Sequence, residues 1–125
     1  MIEYIHDEQI LKYGGRLGFH RDPSLLDEIS ALARGCEGDT YQKAAFLLRS
    51  LITAHVFKDG QHRTAFVVTS LFLRENGKEI RCNNYSQART FLKDIRAHDL
   101  DEIARWLKYG DPRGKEESRP DNAEA

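Results

Sequence analysis

The chain reads as an all-α domain of about six helices. Apolar residues recur at i, i+3, i+4 and i+7, Gly, Asn-Gly or Asp-Pro closes or opens each run, and only the short piece Lys78–Cys82 reads as extended. One such segment makes no sheet. The elements follow in order. Asp7 is positioned to cap a short helix through Ile10 and Leu11 that stops at Gly14-Gly15. Asp22-Pro23 opens the next, and Leu25, Leu26, Ile29, Leu32 and Ala33 keep helical spacing until Gly35. Asp39 or Thr40 begins a longer helix carrying Ala44, Ala45, Leu47, Leu48, Leu51, Ile52 and His55. A fourth runs through Ala65, Phe66, Val68, Leu71 and Phe72 to Asn76-Gly77. Ser86 is placed to cap a fifth with Phe91, Leu92 and Ile95, and Asp99 or Asp101 starts a sixth with Ile103, Ala104, Trp106 and Leu107 before Gly110.

The third and fourth runs are nearly apolar all round, as in Phe46-Leu47-Leu48 and Val67-Val68, which places both inside the bundle. A length of 125 residues suits a single core. Residues 1–110 form that domain. The segment 111–125 has Pro112, Gly114 and Pro120 and no large apolar residue, so it reads as a disordered charged tail. It carries five acidic and three basic residues, which leaves the body at +1 out of a net charge of −1. Such a balance gives no basic field for nucleic acid, and no recognition-helix pattern stands out. The longest apolar stretch, Thr64–Leu73, falls short of the roughly 20 residues a bilayer span needs. Glu3, Asp7 and Glu8 within the first ten residues rule against a signal peptide, so a cytoplasmic, membrane-free domain is expected. Cys36 and Cys82 belong to no CxxC pair and read as two buried, inert thiols.

Between the two interior helices lies His55-Val56-Phe57-Lys58-Asp59-Gly60-Gln61-His62-Arg63-Thr64, a polar loop with greasy sequence on both sides. Gly60 allows the backbone to turn and approach a ligand. The amides that start the following helix favour an anion, and Arg63 adds a bidentate fork for phosphate oxygens. Asp59 offers the hard carboxylate oxygen that Mg²⁺ takes beside phosphates. The imidazole of His55 suits a general base. These are parts of a phosphoryl- or nucleotidyl-transfer site. Residue by residue, a capping histidine, an Asp-Gly turn and a surface arginine account for the same letters. Composition and spacing leave the enzyme site and the structural loop equally open. Zinc on His55, Asp59 and His62 is disfavoured, because the spacing would need a helix running through Gly60.

The decapeptide resembles the signature loop of the Fic/Doc superfamily, His-x-Phe-x-acid-Gly/Ala-Asn-Gly/Lys-Arg, with His55, Phe57, Asp59, Gly60 and Arg63 in register. Thr64-Ala65, the helix end Leu71–Gly77 and the stretch Tyr13-Gly14-Gly15-Arg16-Leu17-Gly18 are similar to the Doc (death-on-curing) branch, and the similarity spans about residues 3–110. The resemblance implies an all-α Fic/Doc-type bundle with the loop between two central buried helices. It implies His55 as general base, Asp59 as catalytic Mg²⁺ ligand, and Gly60, Gln61, His62 and Arg63 as a phosphate cradle. Phe57 would anchor the loop inward. Gln61 stands where the family has Asn, His62 where Fic enzymes have Gly and Doc has Lys, and Phe66 replaces a second Fic arginine. His62 and Phe66 favour the Doc-like reading: a toxin of a toxin–antitoxin pair that moves the terminal phosphate of ATP to a Ser/Thr hydroxyl of a translation factor, such as an elongation factor. A Fic-type nucleotidyltransferase (AMPylation) and a catalytically inactive antitoxin- or nucleotide-binding module are the alternatives. Ser24 and Glu28 have the spacing of a Fic self-inhibitory helix, but Ile29 follows them, so restraint by a separate antitoxin helix lying in a groove is implied. Tyr4, Tyr13 and Trp106 are candidates to line that groove, with core packing the alternative for each.

Overall fold

The computed structural model describes residues 1–114. They form six α-helices: α1 (Ile2–Tyr13), α2 (Ser24–Gly35), α3 (Thr40–Ala54), α4 (Gln61–Glu75), α5 (Tyr85–Lys93) and α6 (Leu100–Tyr109), with one 3₁₀ turn at Ile95–Ala97. Among the described residues there is no strand, only a single antiparallel bridge between Phe19 and Phe57. No helix among them is long and apolar enough to cross a membrane.

Helix α3 is the axis of the bundle. It packs along α4, with α2 and α6 also on its flanks, while α1 and α5 close over α4. Ala44, Ala45, Leu47, Leu48, Leu51 and Ile52 of α3 are all buried, against Ala65, Phe66 and Val68 of α4 and Ile103 and Leu107 of α6. Burial of this kind contributes about 25 cal/mol per Å² of apolar surface removed from water. Truncating Leu48 to Ala is expected to cost about 2–5 kcal/mol.

Capping explains most helix starts. Asp39 accepts from the Gln42 amide while the Gln42 side chain accepts from the Asp39 amide, and Asp99 and Glu102 repeat this reciprocal box on α6. Of the two candidates at each start, Asp39 and Asp99 are therefore the caps. Two boundaries depart from expectation. Helix α1 begins at Ile2, five residues before Asp7, with no side-chain cap. Ile5, His6, Gln9 and Ile10 give it one buried face, so packing replaces the missing cap. Helix α5 is capped by Asn84, which accepts from the Gln87 amide, and not by Ser86; Ile95 falls in the 3₁₀ turn beyond its end. The piece around Lys78–Cys82 is irregular, held by buried Ile80 and by the Arg81 amide donating to the Leu107 carbonyl.

Residues 111–114, the start of the expected tail, form a turn in which the Gly114 amide donates to the Asp111 carbonyl and Arg105 Nε donates to the Pro112 carbonyl. The remainder of that segment, 115–125, lies outside the described residues. Cys36 and Cys82 are free thiols, each half-buried. Trp106 is a core residue stacked on Phe91 at 4.1 Å, Tyr13 lies against Arg63, and Tyr4 is exposed on α1.

Candidate active site

The α3–α4 connection runs from His55 to Gly60 and is fastened from behind. Phe57 is buried, its ring stacked 3.7 Å from that of His6 and nearly parallel to it, with Phe19 beyond. The His20 amide donates to the Val56 carbonyl and the Lys58 amide to the Gly18 carbonyl, so residues 18–20 run alongside the loop as a short strap. His6, fully buried on α1, donates from Nε2 to the Asp59 carbonyl at 2.6 Å. A loop between two interior helices is thus made rigid by a third helix and a strap, which is what a positioned site requires.

Gly60 is the amino-terminal cap of α4 with φ of 82°, a left-handed conformation that favours glycine. A Cβ there would lie 3.2 Å from Ile10 Cδ1 and 3.5 Å from the His6 ring. The constraint on Gly60 therefore comes from α1 behind it, rather than from the space in front where a ligand would lie. The amides of Gln61, His62 and Arg63 make no backbone hydrogen bond, and Thr64 is the first to donate back, to the Gly60 carbonyl. Three amides without a backbone acceptor thus stand at the positive end of a 15-residue helix, the geometry that favours an anion.

These donors open onto a cleft of about 400 Å³. Its lining brings together every residue singled out in the loop: His55, Asp59, Gly60, Gln61, His62 and Arg63. Each is held differently. His55 ends α3 in the left-handed region, at φ 51° and ψ 48°, the only non-glycine with positive φ among the described residues. Left-handed backbone at a bulky residue is a strain that persists where the surrounding structure enforces it, commonly at functional sites. Its ring is exposed to the cleft and tethered through Nδ1 to the side-chain amide of Gln61.

Gln61 is buried, and its Nε2 donates to the Phe57 carbonyl at 2.6 Å and to His55 at 3.2 Å. The extra methylene relative to asparagine lets the amide turn back into the loop. Gln61 thus offers the cleft its backbone amide, while its side chain orients the histidine. Arg63 lies between two aromatic rings, its guanidinium carbon 3.8 Å from the Tyr13 centroid and 4.2 Å from that of Tyr85. With both faces covered, the fork of in-plane N–H donors remains for an anion.

Asp59 receives three contacts from Arg16: the backbone amide at 2.7 Å and Nε at 3.0 Å on Oδ2, and the guanidinium NH2 at 3.5 Å on Oδ1. The guanidinium hydrogen bond first, and the backbone one second, hold its carboxyl below the ordinary value of 3.8. Asp59 is the one carboxylate lining the cleft, and Oδ1 is only loosely engaged. That fits Mg²⁺, which takes one or two protein carboxylates and completes its shell with phosphate oxygens and water. No group of three or more metal-ligating side chains occurs among the described residues, so the zinc alternative finds no cluster there.

His62 is half-buried; burial first, then electrostatic interaction with His55, Lys93 and Arg89, hold its imidazole below 6.5. Four residues near the loop in space lay outside the sequence reading of the site. Arg16 belongs to the flanking stretch Tyr13–Gly18 and reaches Asp59, and Tyr85, Arg89 and Lys93 of α5 line the cleft. The last three had a signal: spaced by four, they form one stripe on a short helix.

Residues 1–73 match the model of the Fic/DOC family. The chain is 34% identical over 123 residues to "Toxin Doc" of Mycolicibacterium smegmatis, covering 86% of this chain and 92% of that protein. It is 31% identical over 80 residues to "Protein kinase doc" of Escherichia phage P1, covering 61% of this chain and 64% of the phage protein.

Proposed function

This chain belongs to the Fic/DOC family, and from that premise we propose that it is a Doc-like toxin that transfers the terminal phosphate of ATP to a Ser/Thr hydroxyl of a protein of the translation machinery. The observation that carries the reading is the convergence of His55, Asp59, the free amides of α4 and Arg63 on one cleft. The relative named as a protein kinase, and the half-buried His62 where an adenylyl-transferring site would have glycine, favour γ-phosphoryl transfer over AMP transfer.

The residues divide the work as follows. The amides of Gln61, His62 and Arg63, with the Arg63 guanidinium, bind and orient the phosphate chain. Asp59 would hold Mg²⁺, which when bound neutralises phosphate charge. The substrate hydroxyl oxygen attacks the γ-phosphorus, its proton passes to His55, and ADP leaves with the electrons of the broken P–O bond. In the resting protein the lone pair of the neutral His55 ring is on Nδ1, where it accepts from Gln61; proton uptake there requires the amide to give way to the incoming hydroxyl. The test is label transfer from γ-labelled ATP to a target protein in cell extract. Transfer that is lost in His55→Ala supports the reading, and transfer from α-labelled ATP instead supports AMPylation.

An antitoxin is the proposed partner. An apolar groove of about 300 Å³ between α1 and the α2–α4 layer, lined by Ile2, Ile5, Ala33, Leu71 and Phe72, suits the apolar face of an antitoxin helix. Leu71→Glu, at a half-buried position, is expected to abolish co-purification with the antitoxin without changing label transfer.

A further inference from the structure

The cleft has a wall that the signature loop does not provide. Helix α5 presents Tyr85, Arg89 and Lys93 to it, one residue per turn, while Ala88 and Leu92 on the adjoining face are fully buried and fix the helix to the bundle. Its start is capped by Asn84. Tyr85 already contributes to the loop's chemistry by covering one face of Arg63. The wall is therefore a held surface rather than a mobile fringe.

Charge is the informative feature. Lys58, Arg63, Arg89 and Lys93 line the cleft against a single carboxylate, Asp59, which is already satisfied by Arg16. Among the described residues neither Arg89 nor Lys93 is paired with a carboxylate: the ion pairs there involve His6, Arg16 and His98. Gathering unpaired like charges around one concavity is unfavourable until an anion enters it. Within the loop, position 62 carries a half-buried histidine, which is not a permanent cation.

We propose that Arg89 and Lys93 are binding residues for the phosphate chain of a nucleoside triphosphate, adding permanent positive charge from α5 to the cleft. The inference rests on the functional reading above and deepens it. The phosphate chain lies between the start of α4 on one side and the α5 stripe on the other, with Arg63 at their junction. Arg89 and Lys93 are exposed, so their replacement leaves the core untouched.

The experiment is calorimetric titration of the full chain with inorganic tripolyphosphate, ATP and AMP, each with Mg²⁺, at two salt concentrations. Wild type, R89Q, K93Q, the double variant and H55A are compared, with R74Q, on the exposed far end of α4, as the control. Each α5 substitution is expected to weaken ATP and tripolyphosphate binding by about tenfold or more, as loss of a charged hydrogen bond does, with little effect on AMP. R74Q binds as wild type, and added salt narrows the differences. Unchanged triphosphate affinity in the double variant overturns the inference and leaves the functional reading standing. If the double variant binds nucleotide normally but shows a raised KM for the target protein, the wall serves an acidic segment of that target and the inference is again overturned. If neither wild type nor H55A binds any phosphate compound, the functional reading itself fails.

Discussion

The side-chain amide of Gln61 lies 3.2 Å from Nδ1 of His55 and 2.6 Å from the carbonyl oxygen of Phe57. A carbonyl only accepts, so the group facing it is the NH₂ end of the amide; reversing it would set oxygen against oxygen at that distance. The second hydrogen of the same NH₂ meets Nδ1, which must then be the acceptor. The neutral His55 ring accordingly carries its hydrogen on Nε2. Nitrogen-detected NMR is expected to show that tautomer in wild type and a mixture in Gln61→Leu. A wild-type spectrum with the hydrogen on Nδ1 would contradict the assignment.

His55 pays a conformational penalty that its side chain alone does not explain. At φ 51° an L-residue is strained, whereas glycine is not. His55→Gly is expected to be more stable than His55→Ala by about 1 kcal/mol, while both lose activity. Chemical denaturation of the two variants measures the difference directly. Equal stability would mean that the loop relaxes once the imidazole is gone.

Asp59 ties acid stability to Arg16. Its carboxyl is held below 3.8 in the folded protein, so its contribution is present above the unfolded value and is lost as pH falls through the lower folded one. Wild type is expected to exceed Arg16→Ala in denaturation midpoint at pH 7, with the gap closing below about pH 4. Arg16 is largely in solvent and Asp59 is partly exposed, so the gap is small and shrinks in high salt. A gap independent of pH would place the effect of Arg16 elsewhere.

His62 reports on the cleft's field. Burial is the first cause of its depression below 6.5, and electrostatic interaction with His55, Lys93 and Arg89 follows. Replacing Lys93 or Arg89 with Gln is expected to raise the midpoint of its NMR titration, though not to the ordinary value, because burial persists. A folded-state value below the unfolded one means that His62 costs stability as pH drops below 6.5, and that this cost lessens in the same variants. An unmoved titration would show that α5 does not act on the loop in solution.

The helices and the loop were legible in the sequence to different degrees. Helices α3 and α6 open on Asp-x-x-Gln and Asp-x-x-Glu boxes and carry unbroken apolar periodicity, so their starts and burial follow from local rules. Helix α1 starts where no cap exists, because its stability comes from what Ile5, His6 and Ile10 pack against, and local signals do not contain that. The polar density of His55–Arg63 between greasy helices marks the site. What it leaves out is supplied from a distance: Arg16 reaches Asp59 across 43 positions, and His6 reaches the Asp59 carbonyl across 53. The turn of Gln61 inward, which makes it a support for His55, depends on the Phe57 carbonyl being within one side chain's reach. Only the folded chain brings these groups together.

The most direct measurement of the central claim is the fate of the two ATP phosphates. Purified protein, Mg²⁺ and a cell extract are incubated in parallel with γ- and α-labelled ATP, and the modified residue is located by mass spectrometry. A Ser or Thr bearing the γ-label, with none from the α-phosphate and none in His55→Ala, is the expected result. Label from the α-phosphate on the target, or γ-label that persists without His55, would contradict it.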